Sequence, residues 1–262
     1  MKCLLLVLFA LLALNARADG CLWYAERHAL KNQDGVTVPL REARDLAATA
    51  DCDVWALKDD RLYRFKADGS PDLEIKLGQH GRYLQADPYD GSVWVATEHR
   101  LWHLDPKGNP LQDLGVSPKG SDRRDGDREE ENSRTRALIL APDETLWVLD
   151  GQHLTRIGRD GAPLASWDPR FRGEAKHLAV DGLGGRYWLA GEKRLVAYDL
   201  ATRALLIEHR LDKDIDTLAL DGLTGTLWVL SDKSLLAYSR DGTPGINLSR
   251  KTLKIDDPED LA

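Results

Sequence analysis

The chain has 262 residues, 42% of them hydrophobic and 30% charged, with a formal net charge of −7 at pH 7. That length and apolar content support one well-formed core. Both charge signs are spread along the chain, so no basic stripe points to nucleic acid and no acidic block to a solvated tail.

The chain opens "MKCLLLVLFALLALNARADGC". One lysine precedes an apolar run from Cys3 to Leu14, and Ala16 and Ala18 supply an A-x-A cleavage pattern. Residues 1–18 read as a secretory signal peptide, with a mature start at Asp19 and a periplasmic or secreted destination. The run is shorter than the about 20 residues of a membrane-spanning helix, and no later segment approaches that, so no membrane span is expected. Removing Lys2 and Arg17 leaves 34 basic against 43 acidic residues, a net charge of −9. An alternative makes Cys21 the lipid-carrying cysteine of a bacterial lipoprotein, although Asp19 fits that pattern poorly. Cys3 leaves with the leader. Cys21 and Cys52 remain as a disulfide candidate in an oxidising compartment, against the alternative of two separate buried thiols.

From Cys21 onward the sequence repeats. Trp55, Trp94, Trp147, Trp188 and Trp228 are spaced by 39, 53, 41 and 40 residues. Seven residues after each stands Leu62, Leu101, Leu154, Leu195 or Leu235. Fourteen after stands a glycine, Gly69, Gly108, Gly161 or Gly242, with Thr202 as the exception. Nine or ten before stands Leu46, Leu84, Leu138, Leu178 or Leu218. Each unit divides into four short apolar runs separated by glycine-containing turns, the signature of antiparallel hairpins rather than helices. A four-strand unit of about 40 residues matches a propeller blade. "CLWYAERHALKNQDG" is a sixth copy that lacks its first strand, and the tail "IDDPEDLA" offers Leu261 in the missing place. The predicted fold is therefore all-β: a six-bladed β-propeller with four-stranded blades, closed by three N-terminal strands and one C-terminal strand, over residues 19–262. Closure of this kind removes open sheet edges. The tail also reads as the start of another repeat, which would make the chain the N-terminal part of a longer protein. A Cys21–Cys52 disulfide would tie the closing blade to its neighbour and contribute about 3 kcal/mol by the chain-entropy account.

Between Gly108 and Leu138 the chain spends 30 residues where other units spend 15 to 17. The charged insertion, residues 114–137, is expected to emerge on the channel-mouth face as a plain loop, a lid or a partner-binding arm. The Trp column is expected to pack between blades with its indole N–H groups satisfied locally. Trp102 and Trp167 fall outside it and are candidates for exposed contacts.

The recurring "LAVDGLGGRYWL" and "LALDGLTGTLWVL", with "LVAYD" and "LLAYS" behind them, resemble the NHL and related six-bladed propellers, and the short propeller repeats of bacterial sensor ectodomains. WD-type marks are absent. The resemblance implies a ligand at the mouth of the central channel. The residues just ahead of the innermost strands are Arg44, Arg82, Arg136, Lys176, Asp216 and Glu259, four basic and two acidic, with His177 beside them. Such a divided mouth suits a polar or zwitterionic ligand, a saccharide or a partner's loop; six solvated loop charges are the plainer alternative. The resemblance to regucalcin and gluconolactonase propellers fails, because no asparagine precedes an innermost strand. A virginiamycin-lyase-like site would have to be drawn from His177 and Glu259. No zinc-type spacing occurs, so neither metal nor cofactor is expected and no residue is assigned a catalytic role. The expectation is an exported, monomeric binding or scaffold module. A lyase- or lactonase-type enzyme and a sensor or adhesion domain are the alternatives.

Overall fold

A computed structural model describes residues 23–26, 28–87, 90–97, 100–114, 135–150, 153–222, 224–231 and 234–249. The leader, Cys21, most of the insertion, and the tail with Glu259 and Leu261 lie outside these residues.

Every regular element among them is a strand, gathered into six antiparallel sheets. Blade 1 holds β1 (Trp23–Glu26), β2 (Ala29–Asn32) and β3 (Thr37–Val38). Blade 2 holds β4 (Asp45–Ala48), β5 (Val54–Lys58), β6 (Arg61–Phe65) and β7 (Pro71–Lys76). Blade 3 holds β8 (Gly81–Ala86), β9 (Val93–Thr97), β10 (Leu101–Leu104) and β11 (Pro110–Asp113). Blade 4 holds β12 (Thr135–Leu140), β13 (Leu146–Asp150), β14 (His153–Ile157) and β15 (Pro163–Trp167). Blade 5 holds β16 (His177–Asp181), β17 (Arg186–Gly191), β18 (Arg194–Asp199) and β19 (Leu205–Arg210). Blade 6 holds β20 (Ile215–Leu220), β21 (Leu227–Ser231), β22 (Ser234–Tyr238) and β23 (Pro244–Ser249). β4, β8, β12, β16 and β20 lie innermost and follow one another about the axis. The fold is a six-bladed β-propeller.

The repeat columns acquire physical roles. Five of the column tryptophans pack into the next blade's core: Trp23 beside Val54 and Ala56, Trp55 beside Leu84 and Val93, Trp94 beside Leu138 and Leu146, Trp147 beside Leu178 and Val180, Trp188 beside Ile215 and Leu220. Trp55, Trp94, Trp147 and Trp188 are essentially inaccessible. Burying such a side chain contributes several kcal/mol, about 25 cal/mol for each Å² of apolar surface removed from water. The expectation of locally satisfied indoles holds only in part. Trp23 donates to the Cys52 carbonyl (2.9 Å) and Trp147 to the Thr145 hydroxyl (3.1 Å). The indole N–H groups of Trp188 and Trp228 have no hydrogen-bond partner among the described residues. Ala197 and Ala237 oppose these two in the register, where Arg156 opposes Trp147. Arg156 supplies a polar partner to the Thr145 hydroxyl that the alanines cannot.

Gly69, Gly108, Gly161 and Gly242 adopt φ of 78–84°, a left-handed turn conformation that other residues resist. Where the column lapses at Thr202, Arg203 takes up the left-handed conformation one residue later, with φ 62°. Four of the outermost strands begin with proline, at Pro71, Pro110, Pro163 and Pro244, which blunts an edge that would otherwise pair with other chains.

Three expectations need correction. Thr135, Arg136 and Ala137 are not loop: they belong to β12, paired with β13. Trp102 and Trp167 are half-buried and packed into cores. The Trp167 indole donates to the Tyr187 hydroxyl (3.1 Å), and Arg203 stacks over its ring at 4.4 Å.

Candidate functional site at the channel mouth

The innermost strands all start on the same face, because each blade repeats one antiparallel course. Arg44 and Lys176 immediately precede β4 and β16, and their backbone N–H groups extend the ladder to Leu57 and Ala190 carbonyls (both 2.7 Å). Arg82, Arg136 and Asp216 are the second residues of β8, β12 and β20. In each of those strands the register slips at that residue, between Gly81 and Tyr83, Thr135 and Ala137, and Ile215 and Thr217. These are β-bulges, which leave one residue unpaired and re-aim its side chain. Three of the residues singled out from sequence therefore sit at irregularities that regular pairing would not produce.

Three of the predicted residues, Arg44, Arg82 and Arg136, stand at the starts of the neighbouring innermost strands β4, β8 and β12. Arg44, Arg82 and Arg136 all act electrostatically on the hydroxyl of Tyr83, in β8. Tyr83 is half-buried against the core of blade 4. Burial raises its pKa, so the phenol keeps its proton. Arg136 also pairs with Glu174, which stands just before β16. The fourth member is Asp45, the first residue of β4. Its Oδ1 accepts from the Leu46 N–H (3.0 Å) and its Oδ2 from the Leu84 N–H across the gap between blades (2.8 Å). Water reaches it through the channel, yet protein surrounds it. Desolvation pushes its pKa up to about 7, although the two backbone donors and Arg44 favour the charged form.

On the far side, His177 opens β16. Burial drives its pKa down to about 4, partly countered by a hydrogen bond to the Ile215 backbone; Lys176 lowers it further. The imidazole is therefore neutral at pH 7. Asp216 lies exposed on the neighbouring β20. Glu259 and Cys21 fall outside the described residues. Among the described residues no group of three or more His, Cys, Asp or Glu side chains is placed to hold a metal ion.

Sequence reasoning missed Asp45, Tyr83 and Glu174. The signal for the first two was one column away. The aligned leucine faces the preceding blade, while the residue before it projects towards the following one, as Tyr83 and Ala137 do. That intermediate column reads Asp45, Tyr83, Ala137, His177 and Thr217. Glu174 carries no periodic signal, since it comes from the connection before β16.

No protein-family model matches the chain, and neither does any curated protein. Solved structures do match. The chain is similar to a protein of unknown function from Bacteroides caccae, at 16% identity over 86% of this chain and 90% of that one, with a TM-score of 0.60. It is also similar to a chain of a mitotic checkpoint complex, at 11% identity over 79% of this chain and 63% of that one, with a TM-score of 0.63. At these identities the likeness carries the propeller fold alone.

Proposed function

We propose that the protein is an exported propeller of the NHL-like kind that works as a binding or scaffold module, taking a polar ligand, a saccharide or a partner's loop at the channel mouth. The observation that carries this reading is the placing of Arg44, Arg82 and Arg136 at the starts of three adjoining innermost strands, β4, β8 and β12. A site with an excess of one charge concentrates ligands of the opposite charge. Lys176, His177 and Asp216 would supply the second, mixed-charge half. The chain would act as a monomer, with Glu259 completing the ring on a strand lent by the tail. A Cys21–Cys52 disulfide would hold that closure. Support comes from Trp23, two residues from Cys21, whose indole already binds the Cys52 carbonyl, and from Cys52 not being a free thiol. A lyase-type site, drawn from His177 and Glu259, is the second reading; Glu259 lies outside the described residues.

The test is a thermal-shift screen of acidic and neutral saccharides, organic acids and amino acids, followed by titration of each hit. Combined Arg44→Ala, Arg82→Ala and Arg136→Ala substitutions should abolish binding while leaving the circular dichroism spectrum unchanged. Undiminished binding by that variant would reject the channel mouth as the site.

A further inference from the structure

We propose that β19, at the rim of blade 5, is a strand-accepting edge for a partner protein, whose extended segment has an apolar centre and acidic ends and adds antiparallel to β19. This edge is separate from the channel mouth and gives the module a second contact surface.

β19 is the last strand of its sheet, in the order β16-β17-β18-β19. A terminal strand turns the N–H and C=O groups of alternate residues outward, ready to pair with another chain. The other full-length outermost strands are blunted at one fixed place. Pro71, Pro110, Pro163 and Pro244 stand opposite Phe65, Leu104, Ile157 and Tyr238 in the register. In blade 5 that place, opposite Tyr198, is held by Leu205, which keeps its backbone N–H. The remaining outermost strand, β3, is two residues long. Leu205 and Leu206 are 54% and 47% exposed. The leucines Leu111 and Leu164 are as exposed, but each follows a blunting proline. A register slip sets Leu205 and Leu206 together opposite Tyr198, and pairing is regular from Ile207 to Arg210.

One face of β19 is occupied by blade 6. Ile207 lies against Gly242, and the His209 Nε2 is hydrogen-bonded to the Gly242 carbonyl (2.9 Å). The His209 ring also packs on Tyr238, with centroids 4.8 Å apart. The strand is thereby held in its extended form before any segment arrives, which lowers the ordering cost of binding. Leu206, Glu208 and Arg210 share the other face. Glu208 is paired with Arg194 at 2.9 Å. Arg210 is exposed and has no ion-pair partner among the described residues. Just ahead of the strand, exposed Arg203 rests over the Trp167 ring at 4.4 Å. The edge is thus apolar at its start and cationic at both ends, with its one carboxylate already neutralised. Main-chain pairing supplies affinity in strand addition, and the side chains select the segment. Here they select an acid opposite Arg210, a large apolar residue four positions later opposite Leu206, and a second acid towards Arg203.

A second copy of this chain fits the edge less well. Two-fold antiparallel pairing of β19 with itself overlaps by only three residues when centred on Leu206. Each longer register, centred on Ile207, Glu208 or His209, sets Leu206 opposite an ionised side chain, namely Glu208, Arg210 or Asp212.

The experiment is fluorescence polarisation of the labelled peptide ETTVLVD titrated with the mature chain, with the scrambled TVDLTEV as control. ETTVLVD should bind with a Kd of about 100 µM or tighter. Leu206→Lys, which places on the edge the residue that natural sheets use to block pairing, should weaken binding about tenfold. Arg210→Glu should weaken it about threefold, and KTTVLVD should regain that loss on the variant while binding the parent more weakly. Leu205→Pro restores the residue that four sister strands carry, so it should fold and bind weakly. The comparison of KTTVLVD with ETTVLVD on the parent needs no variant at all. Binding no tighter than the scrambled control at ~1 mM, or undiminished binding by Leu206→Lys, overturns the proposal. So does loss of binding in the triple variant Arg44→Ala, Arg82→Ala and Arg136→Ala, which would place the peptide at the mouth. Sedimentation velocity should find the parent monomeric at ~100 µM. A dimer that Leu206→Lys dissociates would assign the edge to a second copy and overturn the partner strand.

Discussion

Asp45→Asn tests the electrostatics of the channel through stability alone. An acid whose folded pKa lies near 7 and whose unfolded value lies near 3.8 holds its proton in the native state long after the unfolded chain has released it. Between those values the native state binds more protons, so stability falls as pH rises and the full penalty is present above about pH 7. For an ideal site the change from about pH 5 to pH 8 is about 2.6 kcal/mol, from two titration curves at 1.36 kcal/mol per unit. The channel admits water, which screens the charge, so about 2 kcal/mol is the expected figure. Asparagine removes the titration but retains only one carbonyl oxygen for the two backbone donors, which costs about 1 kcal/mol at every pH. His177 works in the opposite sense, since its lowered pKa makes stability fall as pH drops from about 6.5 towards 4. That contribution is common to both proteins and cancels in their difference. Urea denaturation of parent and variant at four pH values should therefore show the variant gaining about 2 kcal/mol on the parent between pH 5 and pH 8. A difference that stays constant within about 0.5 kcal/mol would refute the raised acid.

Three further perturbations probe the frame that carries the site. Gly191→Ala should destabilise the protein by about 2–4 kcal/mol, because a Cβ there would overlap the Glu174 carbonyl oxygen, a backbone atom with no room to yield; thermal unfolding reads it, and an unchanged Tm would contradict the packing. Arg240→Met should cost about 3 kcal/mol by stranding Asp181, which is 1% exposed and paired with Arg240 at 2.9 Å across blades 5 and 6. Adding Asp181→Asn to it should recover part of that loss, and a double variant as unstable as the sum of the singles would argue against the pair. Mass spectrometry of the unreduced mature chain should find Cys21 linked to Cys52, with reduction lowering stability by about 3 kcal/mol; two free thiols would end the proposed link.

The blade is legible in the sequence because a strand's demands are local. A tryptophan with a leucine seven residues on recurs in all six units, and a left-handed glycine after fourteen in four of them. The columns at Trp55 and Leu62 thus state the fold six times over, and the column at Gly69 four times. Arg44, Arg82 and Arg136 were also reachable, since they precede aligned leucines. What they do there was not. Whether Arg82, Arg136 and Asp216 leave the ladder depends on bulges, and a bulge is a compromise between two strands that neither encodes alone. Asp45 becomes an acid titrating near neutrality only through the burial that the neighbouring strands impose, against the opposing pull of the Leu84 N–H from β8. Its contact across the blades comes from Leu84, 39 positions away. Periodicity fixes which side of a strand a residue occupies, while tertiary packing decides which blades meet across the channel and so what charge that residue carries.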